Sequence, residues 1–251
     1  MKVSDIKIKI NEIKTLDDLK SSPFQDDQRT GVKNALKSRA RQLQKEVDLI
    51  EKYKNMMIYE NEHYGKVIAG IDEAGRGPLA GEVVAAAVIL PLDHDFLGLD
   101  DSKKIPAKRR DTLRQEILAY ADVGLGVATP EEIDRYNIYE ATKLAMKRAV
   151  DQLSVKPDHL LIDAMTLDNG IAQTSVIKGD AKSNSIAAAS IIAKTTRDAL
   201  MTKYGEEYPE YGFEQHMGYG TKNHLLALEK YGILDCHRKT FAPVKKYINN
   251  V

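Results

Sequence analysis

The sequence predicts an α/β protein, a mixed sheet flanked by helices and preceded by a small helical N-terminal extension. Three observations carry this. From about residue 26 to residue 62 there is no proline and only one glycine, while Val32, Leu36, Leu43, Val47, Ile50 and Met57 recur at helical spacing, as in a long amphipathic helix. Beyond His63-Tyr64-Gly65 the pattern changes to strand-like apolar runs (67–71, 83–90, 123–127, 159–162) that alternate with helical stretches. The second run follows the first after a tight Gly-rich turn that leaves no room for a crossover helix, so these two strands pair antiparallel and the sheet is mixed.

Taken in order, Ile6, Ile10 and Ile13 fall at helical steps before the punctuation Ser21-Ser22-Pro23, which gives a short helical unit ahead of the long helix. The composition change near residue 64 divides the chain into an extension, 1–64, and a main domain, 65–251. Within the main domain, helices are expected over 107–120, 138–153, 183 to about 204, and 221–231. No repeat or low-complexity tract interrupts this order.

With 251 residues, 43% of them hydrophobic, the chain can bury one sizeable core and still carry an appendage. Lys+Arg and Asp+Glu balance at 37 each, so any basic surface is local rather than global. One such surface is legible: Arg29, Lys33, Lys37, Arg41 and Lys45 repeat every four residues along the long helix, a like-charge stripe that an acidic partner such as nucleic acid would offset. A second cluster, Lys103, Lys104, Lys108, Arg109 and Arg110, could track phosphates. The single cysteine, Cys236, rules out a disulfide framework, and the start MKVSDIKIKI lacks the apolar core of a secretory signal, so a cytoplasmic location is expected. The longest apolar run, 83–90, is far shorter than the roughly 20 residues a membrane helix needs. A monomer is the simplest expectation for the assembly.

The chemistry lies in the carboxylates. Asp72-Glu73 and Asp163 stand at the carboxyl ends of two apolar runs, the place where α/β sheets bind ligands. Asp180 lies just before Ser183, the expected start of a helix whose amino end favours negative charge. A single Asp at a strand end more often caps a turn. Four converging carboxylates, by contrast, repel one another unless cations neutralise them, and oxygen ligands without His or Cys suit Mg²⁺ or Mn²⁺ rather than zinc. Asp72-Glu73 also opens directly into Gly75-Arg76-Gly77, where backbone amides can approach a ligand closely.

The run IDEAGRGPLAG (71–81) followed by EVVAAAVIL resembles bacterial ribonuclease HII, and five later segments match in order: DSK (101–103), LLID (160–163), KGDAKS (178–183) with AAASIIAK after it, HMGYGTKNH (216–224) and HRKTFAPV (237–244). The GRG triplet is similar to type HII rather than type HIII. This resemblance, which covers roughly residues 67–244, implies a ribonuclease H-like fold, with Asp72, Glu73, Asp163 and Asp180 as acidic active-site residues. It further implies that Gly75, Arg76 and Gly77 read the ribose 2′-hydroxyl, the group that distinguishes RNA from DNA. By the same resemblance Tyr219 packs on the neighbouring deoxyribose and Lys103 contacts a phosphate. The implied substrates are RNA–DNA hybrids and duplex DNA carrying embedded ribonucleotides. Cleavage is expected 5′ to a ribonucleotide by a two-metal site, leaving 3′-hydroxyl and 5′-phosphate ends. Two positions depart from the family pattern: Glu82 stands where proline is expected, and Ala164 follows Asp163 where glycine is common.

Other features point less far. His216 and His224 could assist proton transfer or hold a loop, and Cys236-His237 lacks the second pair that zinc would need. A nucleotide-binding oxidoreductase or phosphate-loop protein is the rival suggested by Gly70, Gly75, Gly77 and Gly81. It fails on context, because the loop leads into a strand rather than a helix and no GxxxxGK[ST] motif is present. A non-catalytic hybrid-binding module would not need four carboxylates.

Overall fold

The computed structural model describes residues 1–248. The chain forms two compact units, Met1–Asn55 and Met56–Val251, so the division by contacts falls before the composition change near residue 64. In the first unit, α1 (Val3–Glu12) and α2 (Leu16–Lys20) pack on α3 (Thr30–Asn55) around Ile6, Ile10, Leu19, Val32, Leu36 and Leu43. Thr15 caps α2 by accepting from the Asp18 N–H (3.1 Å). Arg39 donates to the Ile13 carbonyl through Nε (2.9 Å) and Nη2 (2.7 Å), fixing the α1–α2 connection.

The long helix is shorter than expected, ending at Asn55, and Val47 and Ile50 remain exposed. The reason is length. A ten-residue α1 spans about 15 Å and cannot cover a 26-residue helix of about 39 Å, so only the first half of the apolar seam is buried within this unit.

The second unit opens with one helical turn, α4 (Ile58–Asn61). There follow β1 (Ile68–Ala74), β2 (Val83–Ile89), α5 (Ala107–Tyr120), β3 (Asp122–Ala128), α6 (Pro130–Asp151), β4 (His159–Asp163) and β5 (Ala172–Val176). The chain closes with α7 (Asn184–Glu207), α8 (Phe213–His216), α9 (Lys222–Tyr231) and α10 (Ala242–Lys245). The five strands lie in the order β3-β2-β1-β4-β5. β1, β2 and β3 are antiparallel neighbours, while β1, β4 and β5 run parallel, which gives the mixed sheet the sequence predicts.

Strand alternation assigns the two faces. Ala69 and Ile71 join the α6 side chains Ala141, Ala145 and Ala149 in the main core. Gly70, on the opposite face, meets the start of α7 so closely that an added Cβ would lie 2.1 Å from the Ser185 carbonyl carbon. Only glycine permits that approach, and it seats α7 directly against β1 beside Asp72.

In the second unit β1, α6 and β5 depart from the sequence reading, and the single-turn helices α8 and α10 lie outside it. β1 continues through Ala74, so Asp72 and Glu73 lie in the strand rather than after it. α6 begins at Pro130 behind a capping box, in which Thr129 accepts from the Glu132 N–H and Glu132 accepts from the Thr129 N–H. It then breaks at Asn137 (φ 66°, ψ 165°) before the apolar stretch that the periodicity reveals. β5 is an edge strand with only Val176 buried, so it carries no apolar alternation to detect.

Candidate active site

Parallel pairing of β1 with β4 in the register Ile71↔Ile162 sets the following residues, Asp72 and Asp163, side by side. The Asp163 Oδ1 accepts from the Gly179 N–H (2.8 Å). Lys178, in the left-handed region (φ 57°), turns the chain into a 3-10 turn, Gly179–Ala181, that presents Asp180. Ser183 then caps α7, accepting from the Ile186 N–H (3.3 Å). Glu73, one residue before the end of β1, pairs with Arg76 (3.4 Å).

The four carboxylates line one cleft of about 220 Å³, together with Gly75, Arg76, Gly77, Lys103 and Tyr219. The acids, the GRG loop, Lys103 and Tyr219 therefore meet in one place, whereas His216, His224, Lys104, Lys108, Arg109 and Arg110 do not line it. Among the described residues no three His, Cys, Asp or Glu side chains are drawn up as a closed ligand cluster. The acids surround the cleft rather than converge on one point.

Their electrostatics fit a cationic occupant. Burial, then Glu73, then Asp163 push the Asp72 carboxyl well above the usual carboxylate range, although Ser190 opposes this. Burial also raises Glu73, with Arg76 offsetting part of the effect. Asp180 is raised by burial, Asp101 and Asp163, against Lys103. The Glu73 Oε2 is buried with no hydrogen-bond partner among the described residues. An all-oxygen site in which Asp72, Glu73 and Asp180 resist ionisation, with an orphaned carboxylate oxygen, is what a hard divalent ion would satisfy.

The cleft has further members that the sequence reading missed: Ser102, Ser190, Lys194 and Arg197. The last three fall on α7 at steps of four and three, one face of a helix otherwise rich in Ala and Ile. That spacing was the available signal. The Ser190 hydroxyl donates to that of Ser102 (3.0 Å), and Lys194 pairs with Asp198.

Two buried arginines shape the GRG loop. Arg197 donates to the carbonyls of Glu82 (3.0 Å), Met217 (3.0 Å) and Ala80 (3.1 Å). Arg238, fully buried, donates to those of Gly75 (2.5 Å), Pro78 (2.8 Å), Arg76 (2.9 Å) and Gly81 (2.9 Å). Burial presses Arg238 down to about 9, and this ring of carbonyl dipoles keeps it charged at neutral pH. Gly75 (φ +97°) lies so close to Arg197 that a Cβ would fall 2.0 Å from its Nε, so no other residue fits this turn.

The two departures also have places. Glu82 does not line the cleft; its Oε1 accepts from the Tyr204 hydroxyl (2.8 Å). Ala164 holds φ 49°, the left-handed region that makes glycine common there.

Sequence comparison matches residues 69–244 to the family Ribonuclease HII and residues 2–64 to the Ribonuclease HII N-terminal domain. A ribonuclease HII from Staphylococcus aureus (strain MSSA476) is 53% identical over 254 residues, covering 98% of each chain. Among solved structures, the ribonuclease H2 from Pyrococcus horikoshii OT3 superposes with a TM-score of 0.65 at 28% identity, over 73% of this chain and 97% of that one. The RNase HII of a PCNA complex from Archaeoglobus fulgidus superposes with a TM-score of 0.61 at 26% identity, over 74% of this chain and 100% of that one.

Proposed function

The chain belongs to the ribonuclease HII family and is a nuclease acting on RNA–DNA hybrids, and from that premise we propose that Asp72, Glu73, Asp163 and Asp180 form its metal-dependent catalytic site, which cuts 5′ to ribonucleotides, including single ones embedded in duplex DNA. The observation that carries this reading is the meeting of four carboxylates, from β1, β4 and the Asp180 turn, in a cleft bordered by the GRG loop and Tyr219. Two Mg²⁺ or Mn²⁺ ions held by those acids would supply activation of the attacking water and stabilisation of the leaving 3′-oxygen.

The rest belongs to the protein's own groups. Backbone groups of Gly75, Arg76 and Gly77, in a loop that Arg238 holds through the Gly75 and Arg76 carbonyls, meet the 2′-hydroxyl of the ribose. Tyr219, beside Gly77, packs on the next sugar and senses that it is a deoxyribose. Lys103, at the mouth of the cleft near Asp180, takes a phosphate and lowers the local negative potential.

Residues 65–251 act as the catalytic domain and 1–64 as a helical extension, a division supported by the two family matches. No described helix is long and apolar enough to cross a membrane, and we take the enzyme to work as a cytoplasmic monomer.

The test is incubation of a labelled DNA duplex carrying one ribonucleotide with Mg²⁺ or Mn²⁺, with EDTA and an all-DNA duplex as controls. The expected product is a metal-dependent nick 5′ to the ribonucleotide, with 3′-hydroxyl and 5′-phosphate ends. A 2′,3′-cyclic phosphate product would overturn the mechanism. Binding without cleavage of this duplex or a full hybrid would favour a binding module.

A further inference from the structure

Behind Tyr219 lies a buried group of histidines that the catalytic reading does not use. His224 and His237 are both fully buried, their Nε2 atoms 3.0 Å apart, and His216 stacks on His224 at 4.6 Å. None of the three lines the cleft, which removes them as proton donors to the reacting phosphate.

Their hydrogen bonds fix one arrangement of protons. The Leu234 N–H donates to the His237 Nδ1 (2.9 Å), so that nitrogen carries no proton. The neutral ring then holds its proton on Nε2 and donates it to the His224 Nε2. His224 must in turn carry its proton on Nδ1, from which it donates to the Tyr219 carbonyl (3.0 Å). The relay runs in one direction, from the 234 backbone through two rings to residue 219. Protonating either ring would set two N–H groups against each other, and burial accordingly lowers both histidines to about 4.

What the relay holds is a strained turn. Met217 (φ 51°) and Gly218 (φ 80°) are consecutive left-handed residues that lift Tyr219 to a half-exposed position. The Leu79 N–H donates to the Gly218 carbonyl (2.8 Å), which ties this turn to the GRG loop. The residue after His237 is Arg238, which holds that same loop through its carbonyls. One dipeptide thus grips both parts of the substrate-reading surface.

We infer that His224 and His237 are positioning residues for substrate discrimination, a neutral, directional pair that fixes the Tyr219 turn relative to the GRG loop. The inference rests on the reading of Tyr219 as the deoxyribose contact.

The measured quantity is the ratio of kcat/KM on a duplex with one embedded ribonucleotide to kcat/KM on a uniform RNA–DNA hybrid. His237→Phe removes both the donor to His224 and the acceptor of the Leu234 N–H, and should lower that ratio roughly tenfold, the order of one lost buried hydrogen bond felt at Tyr219. His237→Gln, whose amide can both accept and donate, should restore most of it. Added to Tyr219→Ala, the His237→Phe change should lower the ratio no further, because it acts through that residue. Additive losses, or a ratio unmoved by His237→Phe or by Tyr219→Ala, would overturn the inference. Side-chain ¹⁵N spectra of the unaltered protein give a readout independent of turnover: at neutral pH they should show the Nδ1–H form of His224 and the Nε2–H form of His237. Any other tautomer pair would also overturn it. Failure to cleave either substrate would instead defeat the catalytic reading and leave the relay to be judged on the spectra.

Discussion

Asp72 concentrates the conflict on which the site is built. Its carboxyl is buried beside Glu73 and Asp163 and ionises reluctantly. A carboxyl whose folded pKa lies above its unfolded value loses stabilisation as pH rises from the unfolded value through the folded one, so at neutral pH this charge destabilises the metal-free protein. Asp72→Asn should therefore raise the thermal midpoint without divalent ions while abolishing most cleavage, since it deletes charge but keeps shape. A calorimetric scan and a cleavage assay on the same preparation check both halves. Mg²⁺ should stabilise the unaltered protein more than the variant. Ala164 holds a different strain, that of a Cβ in the left-handed region. Ala164→Gly should stabilise by about 0.5–1 kcal/mol, the relief of that clash less the added freedom of the unfolded chain, read as a rise in urea midpoint.

At the scale of elements, α4 is a single turn and could not persist by propensity. It is held by Glu60, buried on the amino end of α7, whose Oε1 accepts from the Ser183 hydroxyl (2.6 Å), the Ser185 hydroxyl (2.7 Å) and the Ser185 N–H (2.9 Å). A carboxylate at a helix amino end also meets its dipole. Glu60→Ala should lower unfolding stability by about 3 kcal/mol in urea titration, because it leaves several buried donors unsatisfied. A change below about 0.5 kcal/mol would mean that these bonds exchange freely with water. Of the basic stripe, Arg29 lies just before α3 and is already paired with Asp27, and Lys33 bonds Gln28. Lys37, Arg41 and Lys45 line a shallow polar hollow with Asn34, Ser38 and Gln42. If this face meets nucleic acid, alanine at those three positions should flatten the salt dependence of substrate binding by about 0.9 per lost phosphate contact in a plot of log K against log salt. An unchanged slope would make it a solvent face.

For the whole molecule, the neutral histidine pair links folding to pH. His224 and His237 sit near 4 in the folded protein against an ordinary 6.5, with His216, Tyr211 and Tyr219 as the titratable neighbours around them. Between those values the unfolded chain binds more protons. Stability is therefore full above about pH 6.5 and is lost as pH falls towards 4, by up to about 1.4 kcal/mol per pH unit for each ring. Urea midpoints between about pH 5 and 7 should show this slope, and His237→Gln should remove one proton's share of it. A slope equal to that of the variant would mean that the ring titrates as it does in water.

Much of this was legible in the sequence because local patterns encode local structure. Continuous apolar runs and helical repeats placed four of the five described strands and the helix 107–120, the short Gly-rich turn gave the antiparallel first pair, and ordered motifs carried the family. The edge strand β5 and the first half of α6 escaped, one because it buries little, the other because Asn137 interrupts its repeat. Only the tertiary structure decided that Ser190, Lys194 and Arg197 face the cleft, that Arg238 threads the GRG loop, and that His237 reaches Tyr219 through His224. Each of those depends on residues far apart in the chain meeting in a desolvated interior, where an unpaired polar group is expensive and partners are chosen by geometry rather than by sequence neighbourhood.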